Sequence, residues 1–267
     1  MVSQDRLYTI VVRGLGWFAI AFMVAPVLVG LAMSFTAGQT LKFPPDGFSL
    51  RWYRALFDPA LSAPIHAAIW NSLKIALLAV AGTILFAMPA AYGATRLKPR
   101  ASAVIEPLML APLVLPTLVY GLAALIAFTS VGLYPSLPMV VIGHVVVFGP
   151  LMYRACVAIA SRLDPSLEEA STLLGVGAFL TFVRVTLPLM VPGILAGTFL
   201  VFMQSLDNVS VSLFLADART SVLPLRMFQM IEESLDVRVA AISGLLIAIV
   251  FAGLFFARRV LEPSRTT

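Results

Sequence analysis

Residue types that carry out covalent chemistry are sparse in this 267-residue sequence. The sequence has no H-E-x-x-H zinc motif and no G-x-S-x-G nucleophile motif, and no two aspartates share an apolar run where they could share a proton. Cys156 is the single cysteine, so neither an internal disulfide nor a cysteine-based metal site can form. The sequence therefore predicts no catalytic residue, no metal and no cofactor, and it argues against an enzyme.

The sequence around each lysine also excludes nucleotide binding by a P-loop. Such a loop needs G-x-x-x-x-G-K-[ST], because backbone N–H groups and a lysine together hold the phosphates. Lys42, Lys74 and Lys98 stand in no such context. Any process driven by ATP would need an ATPase as a separate partner.

An acid inside an apolar run is the strongest candidate for binding a solute. Asp207 lies in the run 189–213, about 15 residues or roughly 22 Å of helix beyond Pro192. Ionisable residues in hydrocarbon usually face a wet cavity, although polar side chains that satisfy one another across a helix seam give the same pattern. By helical spacing Gln204, Asn208 and Ser212 share a stripe with Asp207. The candidate pathway residues are Gln204, Ser205, Asp207, Asn208, Thr117 and Tyr120, the last two following Pro116, where a kink could open a cavity or be held by the Thr117 hydroxyl.

The elements that position these residues are predicted to be membrane-spanning helices. The chain is 60% hydrophobic and 12% charged, with a mean hydropathy of +0.99, which excludes an ordinary soluble domain. Runs of about 20 apolar residues predict helices that cross a bilayer, and they are too long for barrel strands. The first exceeds the apolar core of a signal peptide and is expected to be retained. The six runs are Leu15–Phe35, Ala67–Ala94, Val104–Phe128, Met139–Ala160, Leu189–Leu213 and Val239–Ala257.

Basic residues between the runs predict the orientation, since cytoplasmic loops are enriched in Lys and Arg. The net charge of +5 comes from residues scattered between apolar runs, so lipid, and not nucleic acid, is the expected partner. Six basic residues lie on one side of the membrane, eleven lie on the other, and Lys74 lies inside a run. The side with eleven basic residues also carries both termini and is assigned to the cytoplasm. Its members are Arg6, Arg13, Arg96, Lys98, Arg100, Arg154, Arg162, Arg184, Arg258, Arg259 and Arg265.

The cytoplasmic connection at 161–188 predicts two short helices. Asp164 is a suitable N-cap and Pro165 a suitable first residue, so a helix is expected to start at Asp164. Gly175 can adopt the left-handed conformation that ends it. A second short helix is expected to follow and to break near Leu187-Pro188. The connection is either a capped linker or a compact surface that another protein grips.

The same segment contains Glu169-Ala170-Ser171, then Gly175 after three residues, then Val185-Thr186-Leu187-Pro188 after nine more. This spacing resembles the EAA motif of binding-protein-dependent ABC importer permeases, E-A-A-x3-G-x9-I-x-L-P, with Ser171 for alanine and Val185 for isoleucine. The resemblance implies an all-α type I permease fold and a cytoplasmic coupling helix that docks on an ATPase. The coupling residues it implies are Glu168, Glu169, Ala170, Gly175, Leu187 and Pro188.

Other segments resemble the spermidine/putrescine branch of this family. They are Phe48–Tyr53, Trp70–Leu73, Ser205–Asn208 and Leu223–Leu225 with Met227 and Met230. The branch commonly has two adjacent acids where this chain has Asp207-Asn208, and an acid after the proline where this chain has Pro116-Thr117. The solute is therefore open between a polyamine or other amine, an amino-acid-like or zwitterionic compound, and an organic anion.

The resemblance also implies the assembly. One transmembrane permease domain of residues 1–267 is expected, with its core at about 69–258 and the coupling loop at about 161–188. It implies a multi-pass protein of the bacterial cytoplasmic (inner) membrane that works with a second homologous permease, a dimer of cytosolic ATPase subunits and a periplasmic or extracellular solute-binding protein. A passive channel is the alternative, but a channel would not need the long cytoplasmic connection.

Overall fold

A computed structural model describes residues 2–261; Met1 and residues 262–267, among them the predicted inner-side Arg265, lie outside the described part. Within it α-helices follow one another without a strand, and an isolated bridge joins Thr36 to Phe48. The helices are α1 (Val2–Ser34), α2 (Arg51–Phe57), α3 (Pro59–Arg96), α4 (Pro99–Leu110), α5 (Thr117–Ser130), α6 (Leu137–Ala160), α7 (Ser166–Leu173), α8 (Ala178–Thr181), α9 (Leu187–Leu206), α10 (Ser210–Leu215), α11 (Leu223–Ser234) and α12 (Arg238–Leu261).

The predicted apolar runs all fall on helices, but two of the runs are broken. In the described part four helices are long and apolar enough to cross a membrane, and a fifth span results if the bent pair α4 and α5 is counted as one. The sixth run falls on α12, whose described apolar part, Arg238–Ala252, is shorter. The six predicted segments are therefore present as helices, while four or five meet the length criterion.

The third run is bent instead of forming one straight helix. Helix α4 continues into a 3₁₀ turn at Ala111–Leu113, and Ser102–Leu113 meets α5 at an angle of 102°. Pro112 and Pro116 cause the bend, because proline lacks an N–H donor and Pro116 keeps the preceding residue out of the helical conformation. The predicted kink at Pro116 is thus a sharp break.

The described residues fold as two compact units, 2–65 with 227–261 and 66–226. In the first unit α1 and α2 pack on α12, and Tyr53 Oη donates to Ser34 Oγ at 2.8 Å. In the second unit α6 and α9 form the most extensive helix pair. All the candidate pathway and coupling residues belong to this second unit.

Glycines let α6 and α9 approach closely. A Cβ added at Gly197 would lie 2.6 Å from Met152 Sδ and 3.1 Å from Met152 Cα, and one at Gly193 would lie 2.8 Å from the Ala155 carbonyl oxygen. Small residues at such a seam are typical of helix packing in membranes, where close van der Waals contact stabilises association.

Replacing Gly197 by valine is expected to destabilise the protein by about 1–3 kcal/mol, because the added methyl groups would force α6 and α9 apart. Ala196→Val is the matched control, since Ala196 is the adjacent, exposed residue of the same helix. The measurement is the midpoint of thermal unfolding in detergent. Equal midpoints for the two variants would contradict the tight seam.

Candidate functional site

The cytoplasmic connection folds into a compact element, residues 164–186, which we call the docking element. Its helix α7 starts at Ser166, two residues later than predicted, because Asp164 Oδ1 accepts a hydrogen bond from the Ser166 backbone N–H at 2.9 Å. This bond also lowers the pKa of Asp164. Pro165 therefore stands at the N-cap where Asp164 was predicted, and the Asp164 side chain holds the turn that leads into the helix.

Gly175 ends α7 in the left-handed conformation, as predicted, with φ of +81°. The Gly175 N–H donates to the Thr172 carbonyl at 2.9 Å, and the Val176 N–H donates to the Ser171 carbonyl at 3.2 Å. This pair of bonds is the Schellman arrangement, which satisfies the last carbonyls of a helix. Glycine is favoured there because a Cβ is costly at positive φ.

The predicted break at Leu187-Pro188 is wrong. Helix α8 runs into a π-helical turn at Phe182–Thr186 and then directly into α9. Pro188 stands in the first turn of α9, where its missing N–H costs little, and the π turn absorbs the change of hydrogen-bond register before it. Leu187 packs on the hydrophobic core while Pro188 is exposed, so these two residues belong to the span and not to the surface of the docking element.

Apolar side chains cover the exposed end of the docking element. Leu173, Leu174 and Phe179 are 88%, 84% and 81% exposed. Glu169 and Ala170 of the motif are exposed on the same helix as Leu173. We call these three exposed apolar side chains the tip.

Glu168 has a different environment from Glu169, because it faces inward. Arg96, the last residue of α3, donates from Nε to Glu168 Oε2 at 3.0 Å and from Nη2 to Oε1 at 3.2 Å. Thr186 Oγ1 donates to Glu168 Oε1 at 2.8 Å. Burial opposes ionisation of Glu168, but the bonds from Arg96 and Thr186 and the charge of Arg96 outweigh it, so the pKa lies below its ordinary value.

Two aromatic rings complete this cluster. The rings of Tyr92 and Phe182 lie 5.0 Å apart, and the Arg96 guanidinium lies 5.6 Å from the Tyr92 ring centre. We call Tyr92, Arg96, Glu168, Phe182 and Thr186 the joint. Glu168 immediately precedes the motif and Thr186 lies within it, so both are close to residues that the sequence singles out. No spacing pattern connects them to Arg96, which is 72 residues away from Glu168.

The fifth run is broken at its candidate binding residues. Helix α9 ends at Leu206, and α10 starts at Ser210. Asn208 Oδ1 accepts a hydrogen bond from the Val211 N–H at 2.8 Å, so this side chain favours a new helix start over continuation. Asp207 is exposed and Asn208 half-buried at this break. The predicted continuous stripe is therefore wrong.

Ser205 and Ser212, on opposite sides of the break, both contact His144. His144 Nδ1 lies 2.7 Å from Ser205 Oγ, and His144 Nε2 lies 3.3 Å from Ser212 Oγ. All three side chains are buried. Ser205 thus serves packing between α6 and the broken helix, whereas Gln204 is exposed.

A groove of about 160 Å³ brings two candidate pathway residues together, Thr117 at the start of α5 and Gln204 near the end of α9. Tyr120 is half-buried, packs on the core and does not line this groove. The other lining residues are apolar: Pro112, Leu113, Leu115, Val147, Phe148 and Leu151.

The sequence profile of the family described as "Binding-protein-dependent transport system inner membrane component" matches residues 83–266. The chain is 28% identical to the spermidine/putrescine transport system permease protein PotC of Haemophilus influenzae, over 87% of this chain and 89% of that protein. It is 30% identical to the putrescine transport system permease protein PotI of Escherichia coli K12, over 86% of this chain and 83% of that protein.

Solved structures give the same fold. A chain of a bacterial ABC transporter involved in the import of the acidic polysaccharide alginate superposes with a TM-score of 0.67 and 15% identity, over 98% of both chains. A structure of a bacterial alginate ABC transporter with an alginate-bound periplasmic protein gives 0.67 and 17%, over 98% of this chain and 95% of that chain.

Proposed function

Because the chain belongs to the family of binding-protein-dependent transport system inner membrane components, we propose that it carries a small organic amine across the bacterial inner membrane. Its function as a permease subunit of an ABC importer and its all-α type I fold agree with the sequence prediction. The family match carries the general function. The relatives named for putrescine and spermidine support an amine as the solute.

The exposed carboxylate at the break of the fifth run supports the same choice of solute. Asp207 stands where α9 ends, and the groove beside Gln204 and Thr117 offers polar groups on an apolar wall. Such a lining fits an alkyl chain that carries an amino group. The alternative solutes are a zwitterion or an organic anion, for which Asp207 would be neutral or repulsive in its effect.

Uptake of radiolabelled putrescine tests the proposal. A strain that lacks the chromosomal copy should take up putrescine only when the chain is supplied on a plasmid, and unlabelled spermidine should compete. An excess of a dicarboxylate should leave uptake unchanged. Competition by the dicarboxylate, with none by spermidine, would assign the importer to anions.

ATP hydrolysis is proposed to occur in a partner that grips the tip. Leu173, Leu174 and Phe179 are exposed apolar side chains on the side assigned to the cytoplasm, and the sequence has no P-loop of its own. A second homologous permease would supply the other half of the pathway, and a solute-binding protein would deliver the amine. A passive channel would differ in one respect, because depletion of ATP would not stop its transport.

The proposed orientation, with both termini in the cytoplasm, is tested by cysteine labelling in a Cys156→Ala background. A cysteine at Ser49 or Thr220 should react with an impermeant thiol reagent added to intact cells, whereas one at Ser166 should react only after permeabilisation. The reason is that the loops with fewer basic residues face outward. Labelling of Ser166→Cys in intact cells, with Ser49→Cys protected, would invert the orientation.

A further inference from the structure

The joint connects the docking element to two membrane-spanning helices, and its residues are distinct from the tip. We propose that the joint transmits movement of the docking element to α3 and α9, with Arg96 and Glu168 as positioning residues for transport. This inference rests on the proposed function. It assigns the transmission of movement to side chains that do not themselves contact the ATPase.

The geometry of the Arg96–Glu168 pair can transmit both displacement and rotation of the docking element to α3. Two parallel bonds, of 3.0 and 3.2 Å, join the planar guanidinium to the planar carboxylate. A two-point contact of this kind fixes orientation as well as distance, which a single contact or a lysine would not do. Because Arg96 is the last residue of α3, any displacement of Glu168 acts directly on the end of that helix.

Thr186 gives Glu168 a second attachment, to the helix that carries the candidate pathway residues. Its hydroxyl donates to Glu168 Oε1 at 2.8 Å, immediately before α9 begins. The Glu168 carboxylate therefore bonds both to the last residue of α3 and to the residue that leads directly into α9. Gln204 and Asp207 lie at the far end of α9 and its break, so movement of this helix would reach the candidate pathway.

The joint is partly shielded from solvent and braced within the docking element. The Arg96 and Glu168 side chains are 21% and 20% exposed, so salt screens this pair less than a surface pair. Ser171 Oγ and Thr181 Oγ1 lie 2.9 Å apart, and this bond ties α7 to α8. The element can thus move as one body between the tip and the joint.

The test uses the complete importer, purified with its ATPase and reconstituted into proteoliposomes with the binding protein and putrescine. Glu168→Gln and Arg96→Gln should lower the amount of putrescine imported per ATP hydrolysed by about fivefold or more, the lower range of typical coupling between sites. The amount of ATPase that co-purifies with the permease should match wild type, because the tip is unchanged, and a loss of bound ATPase would assign Arg96 and Glu168 to docking instead. Arg162→Gln, at an exposed arginine on the same side, is the control and should import as wild type does.

Charge reversal separates transmission from a merely structural role. The double variant Arg96→Glu with Glu168→Arg restores the pair, and the Thr186 hydroxyl can then accept a hydrogen bond, so the ratio of import to hydrolysis should recover relative to either single variant. Thr186→Val, the mildest change, should lower this ratio without loss of assembly. Wild-type ratios in all the single variants, or a double variant no better than the singles, would overturn the proposal.

A readout that needs no solute distinguishes this proposal from the proposed function. In a Cys156→Ala background, ATP should change the thiol labelling rate of Gln204→Cys, and Glu168→Gln should abolish that change. A wild-type complex that imports no putrescine, but shows the ATP-dependent change and its loss in Glu168→Gln, would contradict the solute and support the joint. An unaltered change in Glu168→Gln would overturn the joint alone.

Discussion

Replacing Gly175 by valine should lower import by at least about tenfold per assembled complex, with ATPase stimulation falling in parallel. Gly175 has a φ of +81°, where an L-residue costs about 1–2 kcal/mol, and about 1.4 kcal/mol corresponds to a tenfold change in population. No atom lies within 4 Å of an added Cβ, so the effect comes from the backbone and not from a clash. The valine would strain the turn between α7 and α8, the helix that carries Phe179.

Gly132 provides a control with the same backbone strain at another place. Its φ is also +81°, and an added Cβ there also meets no atom within 4 Å. It lies between α5 and α6, away from the docking element in sequence. Gly132→Val should therefore affect import much less than Gly175→Val does. Gly175→Asn should retain more import than valine, since asparagine tolerates the left-handed conformation.

The measurements are solute uptake and solute-stimulated ATP hydrolysis, both normalised to the complex recovered from the membrane. Normal values for Gly175→Val would show that the ATPase does not grip this turn. Equal losses in Gly132→Val and Gly175→Val would show that the valine acts through general stability.

The positions of the helices follow from the sequence because a bilayer requires long apolar segments. Five of the six predicted runs lie entirely on or within about a residue of a single helix or of a bent helix pair, and α6 coincides with the fourth run almost to its ends. The break in the fifth run could not be predicted from apolarity, since Asp207 and Asn208 interrupt it only briefly. Whether such a side chain stays in the helix or caps the next one depends on its local hydrogen bond, here from the Val211 N–H to Asn208.

The site was predictable where a single residue decides the local backbone. Gly175 is such a residue, because ending a helix at positive φ favours glycine. The role of Glu168 could not be derived in this way. Its partner Arg96 is distant in the chain, and the sequence used Arg96 only as one of the basic residues that predict the cytoplasmic side. The fold brings the Arg96 guanidinium into a hydrogen bond with the Glu168 carboxylate.

The role of His144 also depends on contacts that form only in the folded chain. A histidine in an apolar run could line a pathway or bond to a neighbouring helix, and residue type alone does not distinguish the two. In the structure it is fully buried between Ser205 and Ser212, so it binds the two sides of the broken helix to α6. Ser205 was accordingly grouped with the pathway residues only because it adjoins them in the chain.

Replacing Asp207 by asparagine should lower putrescine uptake by about tenfold, the equivalent of about 1.4 kcal/mol, if its carboxylate attracts the amine. The full attraction between unit charges near a surface is larger, but exposure to water reduces it. Asparagine keeps the size of the side chain and tolerates the backbone at this helix end, so assembly should be unchanged. The measurement is the initial rate of uptake in membrane vesicles, normalised to assembled complex.

Glu232→Gln is the matched control, since it removes one exposed negative charge from α11, on the side assigned to the exterior. It should leave the uptake rate unchanged. Asn208→Asp tests the attraction in the other direction by placing a second acid at the break. The new carboxylate can still accept the bond from the Val211 N–H, so the start of α10 is preserved while putrescine uptake should rise.

Three outcomes at Asp207 have distinct physical meanings. If the side chain only packs helices together, asparagine should serve nearly as well as aspartate, because polar contacts between membrane helices average about 0.6 kcal/mol. If the solute is an anion, uptake of that anion should rise in Asp207→Asn and fall in Asn208→Asp, since the sign of the interaction reverses. Unchanged putrescine uptake in both Asp207→Asn and Asp207→Ala would remove Asp207 from the pathway, and the polar lining at Thr117 and Gln204 would then be the remaining candidate contact for the solute.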